Sequence, residues 1–219
     1  MSPVWSPDSS RIRFYARRRL GGRLLEKAVS ETGVEKPVGS SRCSPVDWSQ
    51  DGRHLLCSRL GFLSIETDGQ AVSGERARGI EGQGQFSPDT RWIAYTSDES
   101  GRSEVWVRRF SDGSASSEAK WQISTAGGSQ PRWRRDGKEL FYVSTDGRLM
   151  SVSITTNTTF EYGAPQAMFP VTQFSVTDAA SFAYAVSSDG QRFLARTPIG
   201  GNRPPAVTVV TNWLPTVQK

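Results

Sequence analysis

The chain has 219 residues, 36% hydrophobic and 22% charged, with 21 Gly and 12 Pro. That composition excludes a disordered chain, and no stretch approaches the roughly 20 apolar residues of a membrane-spanning helix. The net charge is +5 and comes almost wholly from arginine, since the lysines are only Lys27, Lys36, Lys120, Lys138 and Lys219.

One unit recurs five times in chain order. Trp5-Ser6-Pro7-Asp8-Ser9-Ser10-Arg11-Ile12-Arg13-Phe14 is the first copy and Trp48-Ser49-Gln50-Asp51-Gly52-Arg53-His54-Leu55-Leu56-Cys57 the second. Phe86-Ser87-Pro88-Asp89-Thr90-Arg91-Trp92-Ile93-Ala94-Tyr95 follows, then Trp133-Arg134-Arg135-Asp136-Gly137-Lys138-Glu139-Leu140-Phe141-Tyr142. Val186-Ser187-Ser188-Asp189-Gly190-Gln191-Arg192-Phe193-Leu194-Ala195 is the fifth. Successive aspartates (8, 51, 89, 136, 189) stand 43, 38, 47 and 53 residues apart, which falls around the period of a four-stranded propeller blade, about 40–50 residues.

Each copy reads as a short strand, a tight turn and a longer strand. Ser, Pro and a Gly-like residue at the first, second and fourth turn positions suit a type I turn, and Asp can bond its own backbone there. The second strand is apolar four and six residues after the Asp: Ile12/Phe14, Leu55/Cys57, Ile93/Tyr95, Leu140/Tyr142 and Phe193/Ala195. The position between is Leu56, Ala94, Phe141 or Leu194, so both strand faces are predicted to be buried, as between stacked blades. Arg13 is the exception and is expected to mark an uncovered face. Further turns at 97–101, 111–113, 67–69 and 145–147 join additional strands, ending with Val207–Val210. The prediction is an all-β propeller with blades near 1–40, 41–79, 80–127, 128–172 and 173–214.

Taken together, Trp5–Phe14 and Phe86–Tyr95 above all, these copies resemble the WD40-like repeat of TolB-type β-propellers. The segment from Ala206 to Leu214 is similar to the closing segment of propellers at the C-terminus of bacterial serine/threonine kinases and of some winged-helix regulators. The resemblance implies an extracytoplasmic, sensory or protein-binding module. It also implies six or more blades, so the chain is expected to be the C-terminal part of a longer protein, its five blades forming an open ring. The motif speaks for fold and not for function.

No kinase motif and no Gly-x-Ser-x-Gly elbow occurs, although prolyl-oligopeptidase-type hydrolases carry related blades as a gate. No catalytic residue, cofactor or metal is therefore assigned, and the expected role is non-catalytic binding of a protein or peptide. His54, the single histidine, is expected on an exposed strand position. The acidic turns at Asp98, Glu99, Asp112 and Asp146 lack the dense spacing of a calcium loop and are read as turn formers. The turn residues Trp5, Asp8, Trp48, Asp51, Phe86, Asp89, Trp133, Asp136 and Asp189 are structural, and the seven Trp are mostly core. The arginines at 11, 13, 17, 18, 19 and 23, with Phe14 and Tyr15, could meet an anionic partner. A solvated strand edge explains them as well, and no nucleic acid is expected. Cys43 and Cys57 are too few, with one His, for a zinc site. If the hairpin pairs positions summing to about 101, they face each other as two thiols or a disulfide. Ligand contacts are expected where blades converge, on segments 40–46, 80–85 and 126–131.

Overall fold

The computed structural model describes residues 3–18, 21–29, 34–39, 43–59, 61–67, 70–72, 79–111, 114–156, 159–171, 182–197 and 206–211. Among the described residues, twenty strands form five antiparallel sheets in chain order. Sheet 1 holds β1 (Val4–Trp5), β2 (Arg11–Arg18), β3 (Gly21–Ala28) and β4 (Lys36–Pro37). Sheet 2 holds β5 (Ser44–Trp48), β6 (His54–Arg59), β7 (Phe62–Thr67) and β8 (Gln70–Val72). Sheet 3 holds β9 (Glu81–Phe86), β10 (Trp92–Ser97), β11 (Glu104–Ser111) and β12 (Ser114–Gln122). In sheet 4, β13 (Gly128–Trp133), β14 (Glu139–Ser144) and β15 (Arg148–Thr155) are followed by β16 (Glu161–Tyr162) and β17 (Gln166–Pro170), both paired with β15. Sheet 5 holds β18 (Tyr184–Val186), β19 (Arg192–Thr197) and β20 (Ala206–Thr211). No helix among the described residues is long and apolar enough to cross a membrane.

The five repeat turns share one hydrogen-bond pattern. The amide of the fourth turn residue donates to the carbonyl of the first: Ser9 to Ser6, Gly52 to Ser49, Thr90 to Ser87, Gly137 to Arg134 and Gly190 to Ser187, at 2.8–2.9 Å. Four turns begin with Ser, whose hydroxyl donates to the turn Asp. The same hydroxyl accepts from the amide five residues on, at Arg11, His54, Trp92 and Arg192, each at 2.9 Å. The fourth turn begins with Arg134 instead. Its Nε and Nη2 donate to Asp136 at 2.7 and 2.9 Å, and its Nη1 donates to Glu139 at 2.8 Å. A charged fork thus replaces the donation to Asp, while it has no oxygen to accept from the Glu139 amide.

Sheet stacking explains the doubly apolar strands. Leu55 and Cys57 pack on Leu24 of sheet 1, Ile93 and Tyr95 on Leu56 and Ile65 of sheet 2, Leu140 and Tyr142 on Ala94 and Val107 of sheet 3. Phe193 and Ala195 pack on Phe141 and Leu149 of sheet 4. The residues four and six past each Asp therefore face the preceding sheet, and the residue between faces the following one. Arg13 does not mark an uncovered face: it stacks over the Trp48 ring of sheet 2, 4.0 Å from its centroid, and donates to Glu26 at 2.8 Å. In that slot it is Leu194, 46% exposed, that lacks a cover. Trp5, expected in the core, is 55% exposed, whereas Trp48, Trp92 and Trp133 are buried.

The β5/β6 hairpin differs from its predicted register. Pro45 pairs with Cys57 (a sum of 102), and after a bulge Asp47 pairs with Leu56 (a sum of 103). The slip is set at the turn, where Trp48 already pairs with Leu55 (a sum of 103), and the bulge takes back one residue. Cys43 and Cys57 are nevertheless joined in a disulfide, with Cα atoms 5.5 Å apart.

The fourth turn position has a left-handed backbone in every copy, with φ of 56° at Ser9 and 59° at Thr90 against 72–74° at Gly52, Gly137 and Gly190. A β-branched residue is strained there by about 1–2 kcal/mol, of which the flexibility of Gly in the unfolded chain returns roughly half. Thr90→Gly is expected to raise stability by up to about 1 kcal/mol in denaturant melts. Ser87→Ala, which strands the buried Trp92 amide, is expected to lower it by about 1–3 kcal/mol.

Candidate functional site

The first strand of each sheet lies innermost, so β1, β5, β9, β13 and β18 surround the axis. On the axial side these strands have no neighbouring strand among the described residues, and their outward amides need acceptors. At β9 and β13 the acceptors come from the preceding sheet. Asp47, just before Trp48, accepts from the Phe86 amide through Oδ2 at 2.7 Å. Gln85, just before Phe86, accepts from the Trp133 amide through Oε1 at 2.8 Å. These two residues occupy the same repeat position and make the same bond, one sheet apart.

A second tier lies deeper. Gln83 Oε1 accepts from the Gln130 amide at 3.0 Å, and Gln130 Oε1 accepts from the Ala183 amide at 2.6 Å. The Tyr184 hydroxyl donates to the Gln130 carbonyl at 2.9 Å. Gln83 and Gln130 have left-handed backbones, φ 51° and 59°, and each sits where its strand pairing shifts register. The bulge turns each glutamine toward the next sheet, which offsets its backbone strain with hydrogen bonds.

At the turn end of the axis these sheets enclose a depression of about 410 Å³. Its floor includes Asp47 and Gln85, its walls Trp48, Phe86 and Trp133, and its rim the second turn residues Gln50, Pro88, Arg135 and Ser188. Gln50, Arg135 and Ser188 are exposed. The rim residues come from equivalent positions of four repeats, where the turn itself prefers Pro. At Gln50, Arg135 and Ser188 the departure from Pro is the signal in the sequence, and so is the run of Asp47, Gln85 and Arg132 in the slot before the aromatic.

The opposite end carries a smaller hollow of about 160 Å³, bordered by Ile80, Glu81, Gln83 and Asp98. Segment 80–85 borders it, as its position leading into β9 requires. Segment 126–131 lies at the same end, with Gly128 opening β13 and its amide donating to Ser103, and residues 40–42 lie outside the described residues. The larger depression is at the other end, where the repeat turns meet. Beside the small hollow, Arg108 donates to Glu81 at 3.0 Å and stacks on Tyr95. Burial pushes the Glu81 carboxyl up, and Arg108 pulls it back.

Two charged groups reach the axis. Asp47 is pushed up from 3.8 to about 6 by burial, against the opposing pull of the Phe86 amide, Arg132 and the Trp48 amide. Arg132 is pulled down by burial, while Tyr184 and Asp47 hold it up. They belong to sheets 4 and 2, stand in the same repeat position before the aromatic, and each biases the other's ionisation. Arg132 stacks on Phe182, with Cζ 3.6 Å from the ring centroid.

The other sequence candidates lie elsewhere. His54 is 6% exposed, not on the surface as expected. Its Nδ1 is 2.9 Å from Thr67 Oγ1 and its ring meets the edge of Phe110; pairing with β7 beneath sheet 3 buries it. Asp98 accepts from the Ile80 amide at 2.6 Å, Glu99 pairs with Lys120, and Asp146 accepts from Ser144, while Asp112 lies outside the described residues. Arg11 and Arg13 are both satisfied by Glu26. Cys43, Cys57 and Glu66 bring ligand atoms within 4.8 Å of one another, but in the disulfide the cysteines offer no thiolate.

No protein-family model matches the chain, and no curated protein matches it. Solved structures do. TolB from Acinetobacter baumannii is similar over 97% of this chain, with 20% identity and a TM-score of 0.72. A puromycin-hydrolysing peptidase of Mycobacterium tuberculosis is similar over 90%, with 18% identity and a TM-score of 0.63. A periplasmic gluconolactonase of Pseudomonas aeruginosa is similar over 95%, with 13% identity and a TM-score of 0.58. The chain spans 51%, 35% and 71% of their lengths. The fold is that of the TolB-type, WD40-like β-propellers, as the repeats predict.

The raised Asp47 sets a pH test. A carboxyl whose folded value lies above its unfolded one costs stability as pH rises from 3.8 toward 6, on the order of 3 kcal/mol in full. Asp47→Asn keeps an acceptor for the Phe86 amide and removes the titration. Between pH 4 and pH 7 the unaltered chain is expected to lose stability relative to this variant in thermal melts. A constant difference contradicts the assignment.

Proposed function

We propose that the chain is a non-catalytic propeller module that binds a segment of protein or peptide at the turn-side mouth of its axis. The observation that carries this reading is the depression of about 410 Å³, whose exposed Gln50, Arg135 and Ser188 stand on a floor held by inter-sheet hydrogen bonds. Donors and acceptors alternate with Trp48, Phe86 and Trp133, which suits the mixed polarity of a peptide backbone. Asp47 at the floor disfavours a run of phosphates.

The named activities of the similar structures support looking to the site and not the fold, because a peptidase and a lactonase share blades with TolB. The one histidine is buried against Phe110, remote from the role of an accessible base. Both wider settings implied by the resemblance, a regulatory propeller of a kinase or regulator and the gate of a peptidase, keep this binding role and differ in what is attached.

Displayed peptide libraries selected on the purified chain are expected to yield linear binders. Arg135→Glu with Gln50→Glu is expected to weaken them at least about tenfold without moving the melting temperature, as for central interface residues. Binders indifferent to these changes, or turnover of peptide or lactone substrates by the chain, contradict the proposal.

A further inference from the structure

The repeat position before the aromatic supplies an acceptor at two successive interfaces. Asp47 serves the Phe86 amide and Gln85 serves the Trp133 amide. At the next interface the same position is Arg132, and the amide it should serve is that of Val186. The turn after Val186 repeats the others, with the Ser187 amide donating to the Arg192 carbonyl at 2.9 Å as the Arg134 amide donates to Glu139. The Val186 amide therefore points as the Phe86 and Trp133 amides do. Arginine has five N–H donors and no acceptor, so the slot that elsewhere offers an oxygen to the next sheet's amide offers none to Val186.

Among the described residues the buried Arg132 Nε has no hydrogen-bond acceptor. The guanidinium has the Phe182 ring on one side and the field of Asp47 and Tyr184 around it, and the Tyr184 hydroxyl donates elsewhere, to Gln130. Gln85 and Trp133, next to it in slot and in chain, line the mouth together with Val186 and Ser187.

We infer that Arg132 and the Val186 amide form a receptor for a carboxylate, carried into the axis by the peptide that occupies the mouth. A carboxylate fits on three counts. Its two oxygens match the guanidinium fork, and one can also take the amide. It replaces the oxygen that Asp47 and Gln85 supply at the other interfaces. Beside Arg132 and ionised Asp47 a carboxylate leaves one net negative charge, whereas a phosphate dianion leaves two. The inference rests on the binding function proposed above.

The test is a titration of the labelled full chain, followed at the Arg132 Nε–H resonance and at the Gln50 and Ser188 amides. The probes are acetyl-Gly-Glu-Gly-amide, its Gln isostere, acetyl-Gly-Gly-Gly as free acid, and sodium acetate. The resonance is assigned by its loss in Arg132→Lys. The Glu peptide or the free-acid peptide is expected to shift it and slow its exchange, binding at least about tenfold tighter than the Gln peptide. Which of the two does so identifies a side-chain or a terminal carboxylate. Acetate acting as well as either still supports the receptor and assigns it to a free acid. Arg132→Gln is expected to abolish the preference, and if that variant fails to fold the Nε–H readout on the unaltered chain decides alone. Equal binding of the Glu and Gln peptides, with Gln50 and Ser188 shifting in both, overturns the carboxylate receptor and leaves peptide binding standing. No shift at Gln50 or Ser188 with any probe overturns both.

Discussion

The amide on the axial edge of each inner strand is the constraint on which the rest of the molecule depends. A propeller sheet begins with a strand that has a partner on one side only. Its other edge faces the axis, where no strand among the described residues pairs with it. Leaving such amides bare costs about 1–3 kcal/mol each. The chain meets the requirement with side chains of the preceding sheet, Asp47 for Phe86 and Gln85 for Trp133, and Gln83 and Gln130 one tier below. The same bonds register one sheet against the next, so satisfying the edge also sets the stack. Hydrophobic clusters between successive sheets then supply the bulk of the cohesion.

What could be read from the sequence was the local and repeated part. Ser, Asp and the Gly-like residue form turns by contacts within six residues, and five copies state them five times. The two buried faces of β6, β10 and β14 were legible for the same reason, whereas β19 buries only the face of Phe193 and Ala195. In β6, β10 and β14 the alternation is broken in a way that solvent on either face would not permit.

What could not be read depends on partners far along the chain. The bulges at Gln83 and Gln130 leave no mark in composition, since Gln is an unlikely left-handed residue and owes its conformation to amides 47 and 53 residues away. His54 looks like a surface residue because its slot in the repeat varies, and its burial comes from Phe110 of the next sheet. Arg13 looks like a misplaced charge until Trp48 and Glu26 are beside it. The mouth was partly legible in hindsight. Asp47, Gln85 and Arg132 are polar residues in one repeat position beside an invariably buried strand, a pattern that turn formation does not require.

The function proposed here inherits that logic, because a floor fixed by inter-sheet bonds holds the rim of Gln50, Arg135 and Ser188 in place for a ligand. Its most direct test is native-state hydrogen exchange at the Trp133 amide, which no strand serves and Gln85 alone satisfies. The account predicts protection comparable to the ladder amides of β14, with Gln85→Leu lowering it on the order of tenfold to a hundredfold while β14 stays protected. Exchange of the Trp133 amide at the rate of an exposed peptide in the unaltered chain would contradict it.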